Sequence, residues 1–135
     1  MRLMRWFEKN WDVSLVIVVG ILVIIFTLSS FGELSPPHKK GLGIYSIIYH
    51  FSAFFFLNLF LLFTLVRGNK HDFIVVAIII SMTYGVFDEI YQLFVPERVC
   101  DIFDFMVDNA GICFSSIFYM LFMSGEKGLC PITEK

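Results

Sequence analysis

The sequence predicts an all-α membrane protein, a bundle of four transmembrane helices with both termini on the cytoplasmic side. Three observations carry that reading. Hydrophobic residues make up 58% of the chain and charged residues only 16%. A soluble domain cannot cover that much apolar side chain, so lipid has to be part of the solvent. Four continuous apolar runs each approach the roughly 20 residues that a helix needs to cross a bilayer. The ten basic residues also divide unevenly between alternate connections. The runs are long and unbroken rather than alternating, which argues against barrel strands.

The first span is Val13 to Phe31 and carries no charge. Arg2, Arg5 and Lys9 before it resemble the n-region of a signal peptide. The apolar stretch is longer than a usual h-region and no A-x-A site follows, so it reads as a retained helix. A turn-rich connection with Pro36-Pro37 leads to the second span, Ile44 to Val66, interrupted only by His50 and Asn58. The polar loop from Arg67 to Asp72 leads to the third, Phe73 to Val95, which holds Asp88, Glu89 and Gln92. The loop from Pro96 to Asp101 leads to the fourth, Ile102 to Met123, with Asp104, Asp108 and Asn109. With no internal repeat or linker, residues 1–135 read as a single membrane domain.

Basic residues set orientation, because they stay on the cytoplasmic side. With the N-terminus inside, the inner segments hold Arg2, Arg5, Lys9, Arg67, Lys70, Lys127 and Lys135. The outer loops hold Lys39, Lys40 and Arg98. The net charge of -2 and the lack of a basic stripe argue against a nucleic-acid partner. Cys100, Cys113 and Cys130 are widely spaced and read as free thiols, with no disulfide framework, zinc site or other metal motif.

The polar residues inside the spans are the functional signal. A charged side chain there costs roughly 2.5–3.5 kcal/mol on insertion scales, and something has to offset it. Glu89, Asp108 and His50 each lie six positions from the outer end of their span, a depth of about 9 Å. Gln92 and Asp104 belong a turn higher, with Arg98 in the loop above. Ser81, Gly85, Asp88 and Gln92 fall on one helical stripe, and Asp101, Asp104, Asp108, Gly111 and Ser115 on another. A short loop makes the last two spans antiparallel neighbours. The expected site is therefore a hairpin whose polar stripes face inward, joined by His50 from the second span. Asp88, Glu89, Asp104 and Asp108 crowd around one certain cation, Arg98, and one conditional one, His50. Such crowding calls for protonation of some acids or for a bound cation.

The segment YGVFDEIYQLFVPERVCDIFDFMVDNAG resembles the VanZ-like family of small membrane proteins. The family pattern ends a helix with DE-x-x-Q, turns with Pro-x-Arg, and opens the next helix with spaced acids and a Gly. Here these are Asp88, Glu89 and Gln92, then Pro96 and Arg98, then Asp104, Asp108 and Gly111. An earlier His before an aromatic cluster matches His50 in YHFSAFFF. The chain departs from the pattern at Phe54, where a Tyr is common, at Ser115, where a second Gly is common, and at Glu97 in the turn. The resemblance covers the last three spans and implies a membrane-bound chain without an assigned reaction. The family takes its name from a glycopeptide-resistance accessory protein.

Together these features predict a site at the extracytoplasmic side of the cell membrane that binds or modifies an envelope lipid or lipid-linked precursor. Glu89, Asp88 and His50 are the candidates for acid–base work. Arg98, Gln92, Asp104 and Asp108 are the candidates for holding the ligand, Arg98 through its bidentate fork. No cofactor is assigned. A non-catalytic assembly module, in which the polar hairpin only orients helices, is the alternative. Proton or cation movement ranks behind both, because the stripes thin out toward the cytoplasm.

Overall fold

The computed structural model describes residues 2–30, 43–67, 71–96 and 101–124. These form five helices: α1 (Arg2–Lys9), α2 (Trp11–Ser30), α3 (Ile44–Val66), α4 (Phe73–Gln92) and α5 (Ile102–Ser124). The last four are long and apolar enough to cross a membrane. Their outward faces carry side chains such as Val16, Val23, Phe87 and Phe114, each more than half exposed. Exposed apolar surface on this scale fits hydrocarbon rather than water.

α3 is the hub, packed against every other helix. Its position explains why this span is the most deeply covered of the four. Phe54, Leu57, Leu62, Phe63 and Val66 are almost inaccessible. The close approach of α5 to α3 depends on Gly111. A Cβ there would lie 2.5 Å from the carbonyl oxygen of Phe51 and 3.1 Å from the backbone nitrogen of Phe55. Small residues admit this kind of backbone contact where no hydrophobic force drives helices together.

Midway along the bundle, Asn58 ties three helices. Its Nδ2 donates to Ser115 Oγ at 2.7 Å, Ser116 Oγ at 2.9 Å and the Ile112 carbonyl at 3.2 Å. Its Oδ1 accepts from Ser81 Oγ of α4 at 3.1 Å. The amide donors and acceptor, buried in a dry interior, are thus all engaged.

The helix bounds differ from the sequence expectation at three places. Residues 2–9, expected as a basic flank, form α1. Leu3 and Trp6 are exposed beside Arg2 and Arg5, whereas Phe7 packs edge-on to Phe60 and stacks on Phe63. Glu8 of α1 accepts a hydrogen bond from Tyr119 of α5. The first span begins at Trp11 rather than Val13, and Arg67 sits 4.0 Å over the Trp11 ring. That cation–π contact, with the Arg67 Nε bond to the Thr64 carbonyl at 3.0 Å, holds Arg67 in a left-handed conformation that closes α3. The third span leaves the α-helix at Gln92, not Val95. Leu93, Phe94 and Val95 turn through bonds to the carbonyls three residues back. Pro96 stops the helix from resuming: it has no N–H to give to the Gln92 carbonyl, and it disfavours helical backbone at Val95.

Candidate functional site

The polar residues of the spans gather at the end of the bundle where α2 ends, α3 begins, α4 ends and α5 begins. Asp88, Glu89 and Gln92 close α4 with 5%, 5% and 2% exposure. His50, six residues into α3, is 2% exposed, and Asp108 of α5 is fully buried. The sequence-derived stripe of α4 faces inward throughout: Ser81, Gly85, Asp88 and Gln92 are all buried.

Two groups of contacts divide this end of the bundle. In the first, Ser29 Oγ donates to Asp88 Oδ1 at 2.6 Å and Gln92 Nε2 donates to Asp88 Oδ2 at 3.0 Å. Nearby, Ser30 Oγ and Tyr91 Oη share a hydrogen bond at 3.1 Å, and Tyr84 Oη donates to the Leu22 carbonyl at 3.0 Å. These bonds hold α4 against α2. Sequence reasoning missed Ser29 and Ser30, because the first span carries no charge. Their signal is the level at which they lie, the last turn of α2 beside the last turn of α4.

The second group centres on His50. Its Nδ1 lies 2.9 Å from Asp108 Oδ1, the two atoms sharing a proton. Its Nε2 lies 3.7 Å from Asp104 Oδ2, on the side where the cluster is more open. Asp108 Oδ2 is buried with no hydrogen-bond partner among the described residues. It points toward α4, 3.8 Å from where a Cβ on Gly85 would stand. Glu89 Oε2 accepts the backbone N–H of Asp101 at 3.1 Å, and Asp101 Oδ1 in turn accepts that of Phe103 at 2.9 Å. Asp101 is therefore the residue that caps α5, and Asp104 is an acid of its first turn.

The VanZ/LLP1 family model matches residues 4–123. The chain belongs to the VanZ/LLP1 family. No curated protein and no solved structure matches it.

In this VanZ/LLP1 chain, the elements expected to build the site do converge. His50, Asp88, Glu89, Gln92, Asp104 and Asp108 all reach one end of the bundle. Arg98 lies outside the described residues, as do Lys39 and Lys40. The stripe of α5 faces α3 more than α4, so that His50 and Phe54 stand between the two acid-bearing helices. Asn109 donates to the Phe105 carbonyl of its own helix at 2.7 Å. The sequence assigns no metal site. The fold nonetheless brings one ligand atom from each of His50, Glu89 and Asp108, on three successive helices, within 4.8 Å of one another.

Chemically, the arrangement offers an imidazole whose inner nitrogen is fixed by a buried carboxylate and whose outer nitrogen faces a second one. This is the relation by which a carboxylate orients a histidine for proton transfer.

Proposed function

We propose that this end of the bundle holds the polar headgroup of an envelope lipid or lipid-linked precursor, with His50 as its proton-exchanging group. The observation that supports this best is the 2.9 Å contact between His50 Nδ1 and Asp108 Oδ1, which leaves Nε2 on the more open side. Asp108 fixes the ring, Asp104 sits beside the working nitrogen, and Glu89 completes the acidic wall. Asp88 and Gln92 position the end of α4 against α2. Arg98 enters as the fork for an anionic group on the strength of its place in the sequence alone. The excess of basic residues in the opposite segments supports placing the site at the outer leaflet. The family name supports a setting in glycopeptide resistance.

A second reading is favoured by one specific observation. Glu89 accepts the N–H of Asp101, and Asp88 is bonded to Ser29 and Gln92, so these acids also join helices. On that reading the chain is a non-catalytic membrane assembly module.

Binding of a fluorescent isoprenoid phosphate to the chain in nanodiscs separates the two. The headgroup reading expects saturable binding that weakens in His50→Gln, Asp104→Asn and Arg98→Ala. Binding that is absent in the parent, or equal in all four proteins, favours the assembly module.

A further inference from the structure

The geometry points to a divalent metal site formed by His50, Glu89 and Asp108, one ligand from each of α3, α4 and α5. The inference stands apart from the headgroup reading, since metal content and headgroup binding are measured separately.

Four features of the cluster argue for it. First, the three residues each present a ligand atom within 4.8 Å of the others. Donors held at the usual Zn–N and Zn–O distances of about 2.0–2.2 Å stand no more than about 4.4 Å apart, so these side chains draw together slightly to grip an ion. Second, Asp108 is fully buried, and its Oδ2 has no hydrogen-bond partner among the described residues. A buried carboxylate oxygen left without a donor is costly, and a cation at this point supplies what the oxygen lacks. It points at the α4 face where Gly85 provides space and Glu89 follows one turn later. Third, the charges balance: a dication with two carboxylates and a neutral imidazole is neutral, which suits a low-dielectric interior. Fourth, a carboxylate stands close to the outer nitrogen of His50, where metal-bound histidines find their support. With Nδ1 turned to Asp108, the Nε2 side faces Asp104 Oδ2 at 3.7 Å, and a carboxylate in that place orients the ring and makes it a better ligand.

Glu89 need not abandon Asp101 to take part. A carboxylate has about four lone-pair sites and can hold an amide hydrogen and an ion together. On binding, the ion takes the place of the proton between His50 Nδ1 and Asp108 and is gripped by both carboxylate oxygens; that proton leaves to solvent, and His50 stays neutral with its hydrogen on Nε2. One imidazole with two carboxylates is the donor set of Zn2+ or Mn2+. Mg2+ and Ca2+ favour oxygen ligands alone. Three protein ligands leave a coordination position for water or for an anionic oxygen of a bound molecule.

The test uses the full chain, stripped with a chelator and returned to nanodiscs. Zn2+, Mn2+ and Mg2+ are titrated in competition with a chromophoric chelator. The expected result is one saturable site per chain for Zn2+ and Mn2+, with Mg2+ much weaker. Asp104→Asn should lose about 10–100-fold in affinity as an outer support. His50→Gln, Glu89→Gln and Asp108→Asn should each lose at least as much, while Asp12→Asn, at the other end of the bundle, binds as the parent does. Helical circular dichroism reports whether each variant is folded. If the three ligand variants do not fold, pulsed electron paramagnetic resonance of Mn2+ in the parent decides: coupling to one imidazole nitrogen supports the site. Absence of that coupling, no saturable binding in the parent, or unchanged binding in folded His50→Gln overturns it.

Discussion

Gly111 of α5 lies against the backbone of Phe51 on α3, where an added Cβ would come within 2.5 Å of the carbonyl oxygen. Phe51 follows His50, and Gly111 lies one turn after Asp108. The contact that lets the two backbones meet is therefore also what brings His50 to hydrogen-bond distance of Asp108. Packing and site are set by the same glycine.

Gly111→Ala is expected to destabilise the chain by about 1–3 kcal/mol, the usual cost of overpacking, because backbone atoms cannot yield as a side chain can. Gly85→Ala is the control. Its Cβ would meet Phe54 Cε1 at 3.4 Å, an ordinary contact. Thermal unfolding in detergent should show a clear drop for the first and little change for the second.

Asn58→Ala should cost about 1–2 kcal/mol, since interhelical hydrogen bonds in membranes are worth roughly 0.6–1.7 kcal/mol each and Asn58 links α3 to both α4 and α5. Among the described residues Asn109 bonds only within α5, so the unfolding midpoint of Asn109→Ala should stay nearer the parent's. Equal losses from the two would contradict the role given to Asn58.

Ser29 and Asp88 should be energetically coupled. A double-mutant cycle with Ser29→Ala and Asp88→Asn is expected to give an interaction energy of about 0.5–1.7 kcal/mol. Additive effects would mean that the 2.6 Å bond does little to hold α2 against α4.

Orientation has its own test. With the N-terminus in the cytoplasm, a cysteine at the exposed Asp72 should react with an impermeant thiol reagent only from the cytoplasmic side. One at Tyr45, 78% exposed, should react only from the outside. The parent for both is a variant without Cys100, Cys113 and Cys130. The reverse pattern would put the acid cluster on the cytoplasmic face.

Much of this architecture was legible because a bilayer leaves few alternatives. Apolar runs of the right length must be helices, and charged residues within them must face inward. Depth counting brought His50, Glu89 and Asp108 to one level, and the fold brings them together. What pairwise periodicity could not supply was which helix lies between which. The third and fourth spans read as a hairpin with facing stripes, but Gly111 fits against Phe51 and places α3 in the middle. Ser29 was invisible for a related reason: a serine is inexpensive in a span, so it gives no sign of its partner until Asp88 is beside it. The helical character of residues 2–9 was hidden by their charge. It follows from Phe7 packing on α3 and Glu8 meeting Tyr119, contacts far apart in sequence.

The central claim is that the His50–Asp108 cluster serves a ligand rather than the packing of helices. Thermal unfolding of His50→Gln and Asp108→Asn, in plain detergent and in native lipid extract, tests it most directly. Groups kept for function are often dispensable for stability. The account predicts variants that melt with the parent or above it in detergent, yet lose the stabilisation that the parent gains from lipid. Variants that melt earlier in both media, by the same margin, would contradict it.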